Sequence, residues 1–432
     1  MIISSLIEVR GVGIGKTSLK KRVNSTFLVA LSYLKSSYEN IYEIKDVISK
    51  ANKSKAIAVL KSKSRIYKKN IQTIDLDKSE DWKEDTIVNV FSTTKGMASI
   101  CLLQLVEKGL LDLDAPVSQY WPEFAANGKE AMPIRYLLCH KSGLCGVREP
   151  LDHGSFTNWE LICSELAKQE PFWEPGSAHG YHALTFGHLV GEVVRRVSGK
   201  TIGQYFNDEI AKPLDLDFWI GLPEDKFSRV TDIQPNMPGL MQKIMMPILS
   251  RIPRFAAPSL VKMLLDFQDP TTVSGAAFNN PQMKMDPKNM EANSREWRLA
   301  EIPAANGHGT ARSIAKLYGA LAIGGSKDGV HVLNPETIEL ARQTESDGKD
   351  LVLGQIHTRF GLGFMLGTED VSMGPNKNSM GHGGAGGSLG FADIDNKISL
   401  GFTMNQMHEG ITAWKTATDV AASVYKTLNL EQ

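Results

Sequence analysis

Cysteine is scarce in this sequence, and long apolar runs are absent. The 432 residues include 4 Cys with neither a CxxC pair nor zinc-type spacing, which argues against a disulfide-stapled or zinc-ribbon protein. We interpret the four as reduced packing residues of an intracellular protein, with a disulfide pair as the alternative. Because no apolar run reaches the roughly 18 residues that a bilayer requires, we expect no membrane span.

The chain also lacks net charge, since 48 Lys and Arg balance 48 Asp and Glu. Its 42% hydrophobic and 22% charged residues are typical of a globular protein and exclude a disordered or collagen-like chain. The zero net charge is the sum of two unlike segments. Residues 1–70 carry 15 basic and 4 acidic residues, a net charge of +11, and residues 71–432 carry 33 and 44, a net charge of −11. We expect residues 1–50 to form a basic, poorly packed extension and residues 51–432 to form the main domain.

The basic N-terminal stretch admits several interpretations. Glu8 is the only acidic residue among the first 38, and with Arg10 it interrupts the apolar opening, so we expect no secretory signal and a cytoplasmic protein. A mitochondrial targeting peptide is the alternative. Residues 11–17 resemble part of a P-loop but lack its first glycine. Without interleaved aromatic residues, the stretch does not predict a nucleic-acid partner.

Strand patterns occur at both ends of the chain, with helical patterns between them. This order predicts one mixed α+β domain, an α/β sandwich whose sheet is completed by its own C-terminus. The predicted strands are 56–60, 360–366, 388–393 and 397–404, and the main predicted helices are 93–109, 184–197 and 411–428.

A methionine-rich region, about 225–300, interrupts this pattern. Residues 237–290 hold eight of the 16 Met, and they are divided into short pieces by Pro238, Pro247, Pro253, Pro258 and Pro270. Flexible thioether side chains suit an adaptable apolar wall over an acyl group. A helical cap without a ligand is the alternative.

Ser92 and Lys95 open the first long predicted helix. Positions i and i+3 share one helix face, so the Lys95 amine can lie beside the Ser92 hydroxyl. A serine needs a base to become nucleophilic, and a lysine becomes that base when burial lowers its pKa. The spacing alone is a weak signal, although a lysine in an otherwise apolar helix needs a partner or a function.

Two later segments add candidate residues. Tyr181 stands between His179, Gly180 and His182 just before a helix, where a phenolate held between cations would be a competent base; a packing tyrosine is the alternative, and we interpret the two histidines as structural. Residues 381–387 contain five glycines directly before a strand, which lets main-chain N–H groups approach a ligand. We expect His382 at the mouth of that groove to donate a hydrogen bond to a substrate carbonyl or carboxylate.

These three segments, in this order, resemble the serine β-lactamase and penicillin-binding-protein superfamily. The likeness is greatest to class C-like (family VIII type) esterases and animal β-lactamase domain-containing proteins. It covers residue 56 to the C-terminus and includes residues 82–86, 91–96, 120–124, 179–185 and 386–391.

The resemblance implies an antiparallel sheet flanked by helices and a serine hydrolase that forms an acyl-enzyme. Ser92 would be the acylated nucleophile, Lys95 its neighbouring base or cation, and Tyr181 the group that exchanges protons with Ser92 and the leaving group. The substrate and oxyanion residues would be His382, Gly383, Gly384 and Ala385, with the main-chain N–H groups of Ser92 and Ala385 as donors. No cofactor and no metal are implied.

Two departures from the superfamily pattern bear on the substrate. Ala183 stands where β-lactamases have Asn, and His382 stands where they have Lys. Both changes favour neutral, small or lipid-like esters over β-lactams or peptides, so we predict a carboxylesterase. A non-catalytic binding protein of this fold and a peptidase or β-lactamase remain the alternatives. The oligomeric state is left open by the sequence.

Overall fold

The structure, a computed structural model, describes residues 82–235, 265–286, 288–408 and 415–430, together with the backbone of three earlier strands. The strands among these residues are β1 (Ser5–Gly11), β2 (Ser25–Leu31), β3 (Ile57–Leu60), β4 (Val88–Asn89), β5 (Phe218–Trp219), β6 (Met285–Asp286), β7 (Asn289–Met290), β8 (His308–Gly309), β9 (Ser326–Lys327), β10 (Val330–His331), β11 (Ser346–Lys349), β12 (His357–Phe360), β13 (Met365–Leu366), β14 (Met380–Gly383), β15 (Leu389–Asp393) and β16 (Ile398–Met404).

The α-helices are α1 (Thr94–Glu107), α2 (Val117–Tyr120), α3 (Arg135–Leu138), α4 (Trp159–Lys168), α5 (Thr185–Ser198), α6 (Ile202–Phe206), α7 (Val273–Phe278), α8 (Arg295–Leu299), α9 (Ala311–Ala322), α10 (Pro335–Ala341) and α11 (Lys415–Thr427). Within the described part of the chain, no helix has the length and apolar character to cross a bilayer. All four cysteines are free and buried, which confirms that they are unpaired packing residues.

The main sheet has the order β11-β12-β13-β14-β15-β16-β2-β1-β3, as far as the described strands show. Every neighbouring pair is antiparallel. A smaller sheet, β4-β8-β5, joins the chain just before Ser92 to the segment after residue 307. The antiparallel sheet flanked by helices confirms the predicted α+β class.

The two faces of β15 and β16 differ in side-chain size. Gly390 and Gly401 are paired across the strands, and a Cβ on either would collide with α9, so this face admits the helix backbone closely. Because side chains alternate along a strand, the large apolar residues lie on the other face. There Phe391, Leu400 and Phe402 join one buried cluster with residues of α11.

Helix α1 is buried over most of its length, in agreement with the predicted helix 93–109. It packs beside α5, which α4 flanks in turn. The predicted helix 184–197 corresponds to α5, which ends at Ser198 where Gly199 takes a left-handed φ of 72°.

Two expectations differ from the structure. The single strand expected at 360–366 is two strands: Phe360 pairs with Met365 across a turn, in which Gly363 has a φ of 81°. β2, which precedes residue 50, pairs along its whole length with β16. The main sheet therefore includes strands from both sides of the boundary expected at residue 50.

Other expectations extend beyond the described residues. Between residues 51 and 81 only the backbone of β3 is described, and residues 236–264 of the methionine-rich region lie outside the described residues. The described remainder of that region contains a 3₁₀ helix at Glu224–Arg229 followed, after the gap, by α7 and α8.

Candidate active site

Ser92 lies in a short 3₁₀ helix, Phe91–Thr93, that leads directly into α1. Phe91 has a φ of 45°, which is uncommon for a residue with a side chain and marks a strained turn. The turn is anchored to the glycine-rich segment, because the Ser388 hydroxyl donates to the carbonyl of Val90 at 2.6 Å. Ser92 itself is only half-buried, unlike the buried residues on either side of it.

Lys95 follows one turn later and is fully buried. Its Nζ lies 3.2 Å from Ser92 Oγ, 2.7 Å from the carbonyl oxygen of Ala183 and 3.0 Å from that of Ala304. Burial lowers the pKa of Lys95 well below its usual value, and no carboxylate pairs with it among the described residues. A neutral amine has two N–H groups, which the two carbonyls accept, and one lone pair that faces the Ser92 hydroxyl.

Tyr181 completes the group from the loop before α5. Its phenol is hydrogen-bonded to Ser92, yet burial raises the pKa of Tyr181 well above its usual value. Lys95 Nζ lies 4.7 Å from the centroid of the phenol ring. Burial and a neutral lysine neighbour both favour the protonated phenol, so the phenolate considered from the sequence is not the resting form. Tyr181 is therefore placed to give a proton rather than to take one.

The two histidines beside Tyr181 make contacts that agree with a structural interpretation. His182 Nε2 lies 2.7 Å from Ser142 Oγ, and its Nδ1 lies 2.7 Å from the carbonyl oxygen of Gly180. His179 Nε2 lies 2.9 Å from Thr358 Oγ1. Both rings therefore make polar contacts with neighbouring protein residues.

His382 lies on β14 and is only 1% exposed. Its Nδ1 is 2.7 Å from the carbonyl oxygen of Gly383; since a carbonyl can only accept, Nδ1 carries the hydrogen. Burial lowers the pKa of His382 to about 3, so the ring is neutral and Nε2 bears a lone pair. This corrects the expectation that His382 donates to substrate, because its one N–H is already used.

The glycine-rich segment lies directly against the Ser92 turn. Gly384 donates its N–H to the carbonyl of Ser388 at 2.8 Å, and a Cβ on Gly384 would lie 2.2 Å from the carbonyl oxygen of Val90. Gly384 is thus a position of close backbone approach, and its N–H is not directed at a ligand. The next residue, Ala385, is exposed and begins a 3₁₀ turn, Ala385–Gly387.

One protein-family model matches most of this sequence. The Beta-lactamase family model matches residues 44–422. This chain belongs to the beta-lactamase family. The predicted resemblance is confirmed.

Several relatives of this beta-lactamase family member share long stretches with it. It is 32% identical over 334 residues to the esterase/beta-lactamase LipL of Mycobacterium tuberculosis, covering 76% of this chain and 71% of that protein. Among solved structures, a family VIII carboxylesterase superposes with a TM-score of 0.74 at 33% identity, covering 91% of this chain and 99% of the other. A penicillin-binding-protein homologue from Caulobacter crescentus superposes with a TM-score of 0.72 at 30% identity and the same coverage.

Sequence reasoning missed one residue that holds this beta-lactamase-family site in place. Asp350 is fully buried, and its Oδ1 accepts the main-chain N–H of Tyr181 at 3.0 Å. Its Oδ2 accepts the Thr358 hydroxyl at 3.1 Å, and Thr358 in turn contacts His179. Asp350 lies 169 residues from Tyr181, so no local pattern could have paired them.

An aromatic wall continues from Tyr181 into the methionine-rich region. Phe278, at the end of α7, stacks on Tyr181 with ring centroids 6.4 Å apart, and Phe267 meets Phe278 edge-on at 5.2 Å. Both phenylalanines are half-buried, so they offer an apolar surface beside the phenol.

A separate cavity of about 340 Å³ opens beyond this wall. Its lining includes Arg148, His153 and Asn279 but neither Ser92 nor Lys95 nor Tyr181. The cavity therefore is not the place where the three candidate groups meet.

Proposed function

We propose that this beta-lactamase family member is a serine carboxylesterase that cleaves small or lipid-like esters through an acyl-Ser92 intermediate. The observation that carries the proposal is the 3.2 Å contact between Ser92 Oγ and the buried Nζ of Lys95. A relative named esterase/beta-lactamase and a structural neighbour named carboxylesterase support the ester as the bond that is cleaved.

In the acylation step, Ser92 Oγ attacks the ester carbonyl carbon as its proton passes to the Lys95 amine. The oxygen of the tetrahedral intermediate is stabilised by the main-chain N–H groups of Ser92 and Ala385, and one such donor contributes about 3 kcal/mol to the transition state. The ester C–O bond then breaks. Tyr181 donates its proton to the leaving alkoxide and is reprotonated by the proton that Lys95 took.

In the deacylation step, a water molecule attacks the acyl carbon and gives its proton to Lys95. The bond between Ser92 Oγ and the acyl carbon breaks, and Lys95 returns the proton to the serine. The products are a carboxylic acid, an alcohol and the free enzyme. Both steps need a neutral Lys95, and its burial with no anionic partner among the described residues supports the proposal.

The acyl group, in this proposal, packs on the aromatic wall of Phe278 and Phe267. Their rings continue the apolar surface of Tyr181. We propose that the methionine-rich region between about residues 225 and 300 extends this wall and determines the acyl-chain preference.

Cleavage of β-lactams is the second candidate, because one relative is named esterase/beta-lactamase and one neighbour is a penicillin-binding-protein homologue. β-Lactams carry a carboxylate, whereas His382 presents a neutral ring at the position of the family lysine. We therefore expect a far higher kcat/KM for a short-chain nitrophenyl ester than for a chromogenic cephalosporin. The reverse order of rates would favour the β-lactamase.

The test of the proposed function compares ester hydrolysis by the wild type, Ser92→Ala and Ser177→Ala. We expect the first variant to lose at least about a thousandfold in kcat, because the nucleophile is removed. Ser177 is an exposed serine on the loop before Tyr181, so its variant should keep the wild-type rate. Equal rates for Ser92→Ala and the wild type would refute the nucleophile.

A labelling experiment separates the esterase from a non-catalytic protein of the same fold. We expect a fluorophosphonate probe to modify the wild type, with the added mass on the peptide that contains Ser92. A chain that is folded but unlabelled, and inactive on all esters, would favour the binding protein.

We further propose a cytoplasmic location. Four free and buried cysteines fit a reducing compartment. Imaging a C-terminal fluorescent fusion distinguishes the cytoplasm from mitochondria, the alternative raised by the basic N-terminal stretch.

A further inference from the structure

His382 Nε2 is a buried hydrogen-bond acceptor that no described residue satisfies. The ring is 1% exposed, and Nε2 has no hydrogen-bond partner within residues 82–235, 265–286, 288–408 and 415–430. A neutral imidazole has one N–H, and the contact between Nδ1 and the Gly383 carbonyl places that hydrogen on Nδ1. Nε2 therefore presents a lone pair, and most buried polar atoms in proteins find a partner.

The position of this acceptor places it within the proposed active site. The His382 ring lies 5.9 Å from the Tyr181 ring, centroid to centroid. His382 is also three residues before Ala385, on the strand that lies against the Ser92 turn. A ligand bound over Ser92 would therefore lie beside both the phenol and the strand that carries the imidazole.

The charges around the ring favour a neutral donor as the ligand group. Among the described residues, Lys95 is the ionisable neighbour of His382, and it is buried with no carboxylate partner there, which favours the neutral amine. Since no fixed cation is supplied from either side chain, a substrate carboxylate next to the Nε2 lone pair would be desolvated without compensation. A hydroxyl or an N–H group would instead form a hydrogen bond.

We propose that His382 Nε2 is a specificity-determining acceptor that selects neutral esters bearing a hydroxyl or N–H donor next to the scissile bond. This inference rests on the proposed esterase function. The inference goes beyond that function by naming the substrate class, which is hydroxylated or amide-bearing esters in place of purely alkyl esters. The donor can belong to the alcohol part or to the acyl part of the ester.

The experiment measures kcat/KM for two pairs of neutral esters in which a hydroxyl replaces a methyl group. The alcohol-side pair is ethylene glycol monobutyrate and propyl butyrate. The acyl-side pair is ethyl β-hydroxybutyrate and ethyl isovalerate. We expect kcat/KM for the hydroxylated member of at least one pair to be about tenfold higher. This is the usual effect of giving one buried polar atom a hydrogen-bond partner. The pair that shows the preference identifies the side on which the donor lies.

Two variants attribute the preference to His382. His382→Leu removes the acceptor at similar size, and the preference should fall to about one. His382→Gln keeps an acceptor oxygen, and it should retain part of the preference. The ratio within each variant cancels any loss of rate that both esters share, and thermal unfolding monitors whether each variant is folded.

The outcomes separate this inference from the proposed function. If the wild type cleaves both members of each pair equally well, the inference is overturned while the esterase stands, even if the leucine variant does not fold. A preference that survives in His382→Leu also overturns the inference. If the wild type cleaves none of the four esters, and nitrophenyl esters are equally inert, the proposed function itself fails.

Discussion

At the scale of single residues, burial determines the protonation states of the candidate site. Lys95 and His382 are both buried away from the water that would stabilise their charged forms. Burial is the main cause of the lowered pKa of each. Tyr181 is affected in the opposite direction, since burial raises the pKa of a phenol. The three shifts leave a neutral amine as the base, a protonated phenol as the acid and a neutral imidazole as an acceptor.

Lys95→Met should abolish the pH dependence of stability that this lysine causes. The pKa of Lys95 is lowered in the folded protein and close to 10.4 in the unfolded chain, so between these values the unfolded chain binds more protons. Stability therefore rises with pH in that window, by up to about 1.4 kcal/mol per pH unit. We expect the difference in the free energy of unfolding between neutral pH and about pH 9 to shrink in the variant.

The same variant should lose ester hydrolysis, and Lys129→Met provides the matched control. Lys129 is another buried lysine, and burial lowers its pKa to about 8; its Nζ donates to the carbonyls of Ala126 and Gln169. We expect Lys95→Met to lose at least about a hundredfold in kcat, whereas Lys129→Met keeps its activity although it too changes the pH dependence of stability. An unchanged pH dependence in Lys95→Met would contradict a neutral buried amine.

At the scale of elements, α5 positions several parts of the site at once. Tyr181 and Ala183 directly precede it, and its first turn packs on the segment that supplies the Ala304 carbonyl to Lys95. That packing requires a glycine, because a Cβ on Gly187 would lie 2.4 Å from the backbone nitrogen of Ala304. The helix therefore approaches as closely as its backbone allows.

Gly187→Ala should lower both stability and activity. The new methyl group must displace the backbone around Ala304, at a cost of about 1–3 kcal/mol. The same displacement moves one acceptor of the Lys95 amine, so we expect a loss of about tenfold or more in kcat/KM for ester hydrolysis. Chemical denaturation and steady-state kinetics measure the two effects.

Gly191→Ala is the control on the same helix. A Cβ there would meet the ring of Trp159 rather than backbone, far from the contacts of Lys95. It should be destabilising but should change kcat/KM by no more than about twofold. Equal losses of activity in the two variants would show that α5 acts on the site only through overall stability.

At the scale of the whole molecule, the main sheet joins the two ends of the chain. β16, near the C-terminus, is hydrogen-bonded on one side to β15 and on the other to β2. Removing β2 would expose the backbone of a seven-residue strand whose own side chains are buried. An exposed apolar edge of this kind promotes aggregation.

Val29→Pro tests this arrangement. Val29 is opposite Ile7 on β1 and Leu400 on β16, so it lies inside the sheet, where proline removes a ladder hydrogen bond. We expect a clear loss of soluble yield and a lower Tm than in Val29→Ala, which keeps the N–H group. Equal Tm values for the two variants would contradict the pairing of β2 with β16.

Much of the fold and the main candidate residues could be predicted from the sequence. The spacing of Ser92 and Lys95 places both on one helix face, and this depends only on helix geometry. Periodicity likewise predicted the helix around α1 and the strands β15 and β16, and the order of the three segments predicted the family. The turn that splits residues 360–366 was missed, because local apolar alternation does not reveal a tight reversal between two short strands.

The tertiary structure alone decided the chemistry that these residues can perform. The lone pair of Lys95 faces Ser92 because the carbonyls of Ala183 and Ala304, 88 and 209 residues away, accept its two N–H groups. Likewise the neutral ring of His382 and the orientation of Tyr181 by Asp350 depend on distant elements. A side chain's type and local spacing are properties of the sequence, whereas its pKa and its hydrogen-bond direction depend on which distant groups exclude water around it.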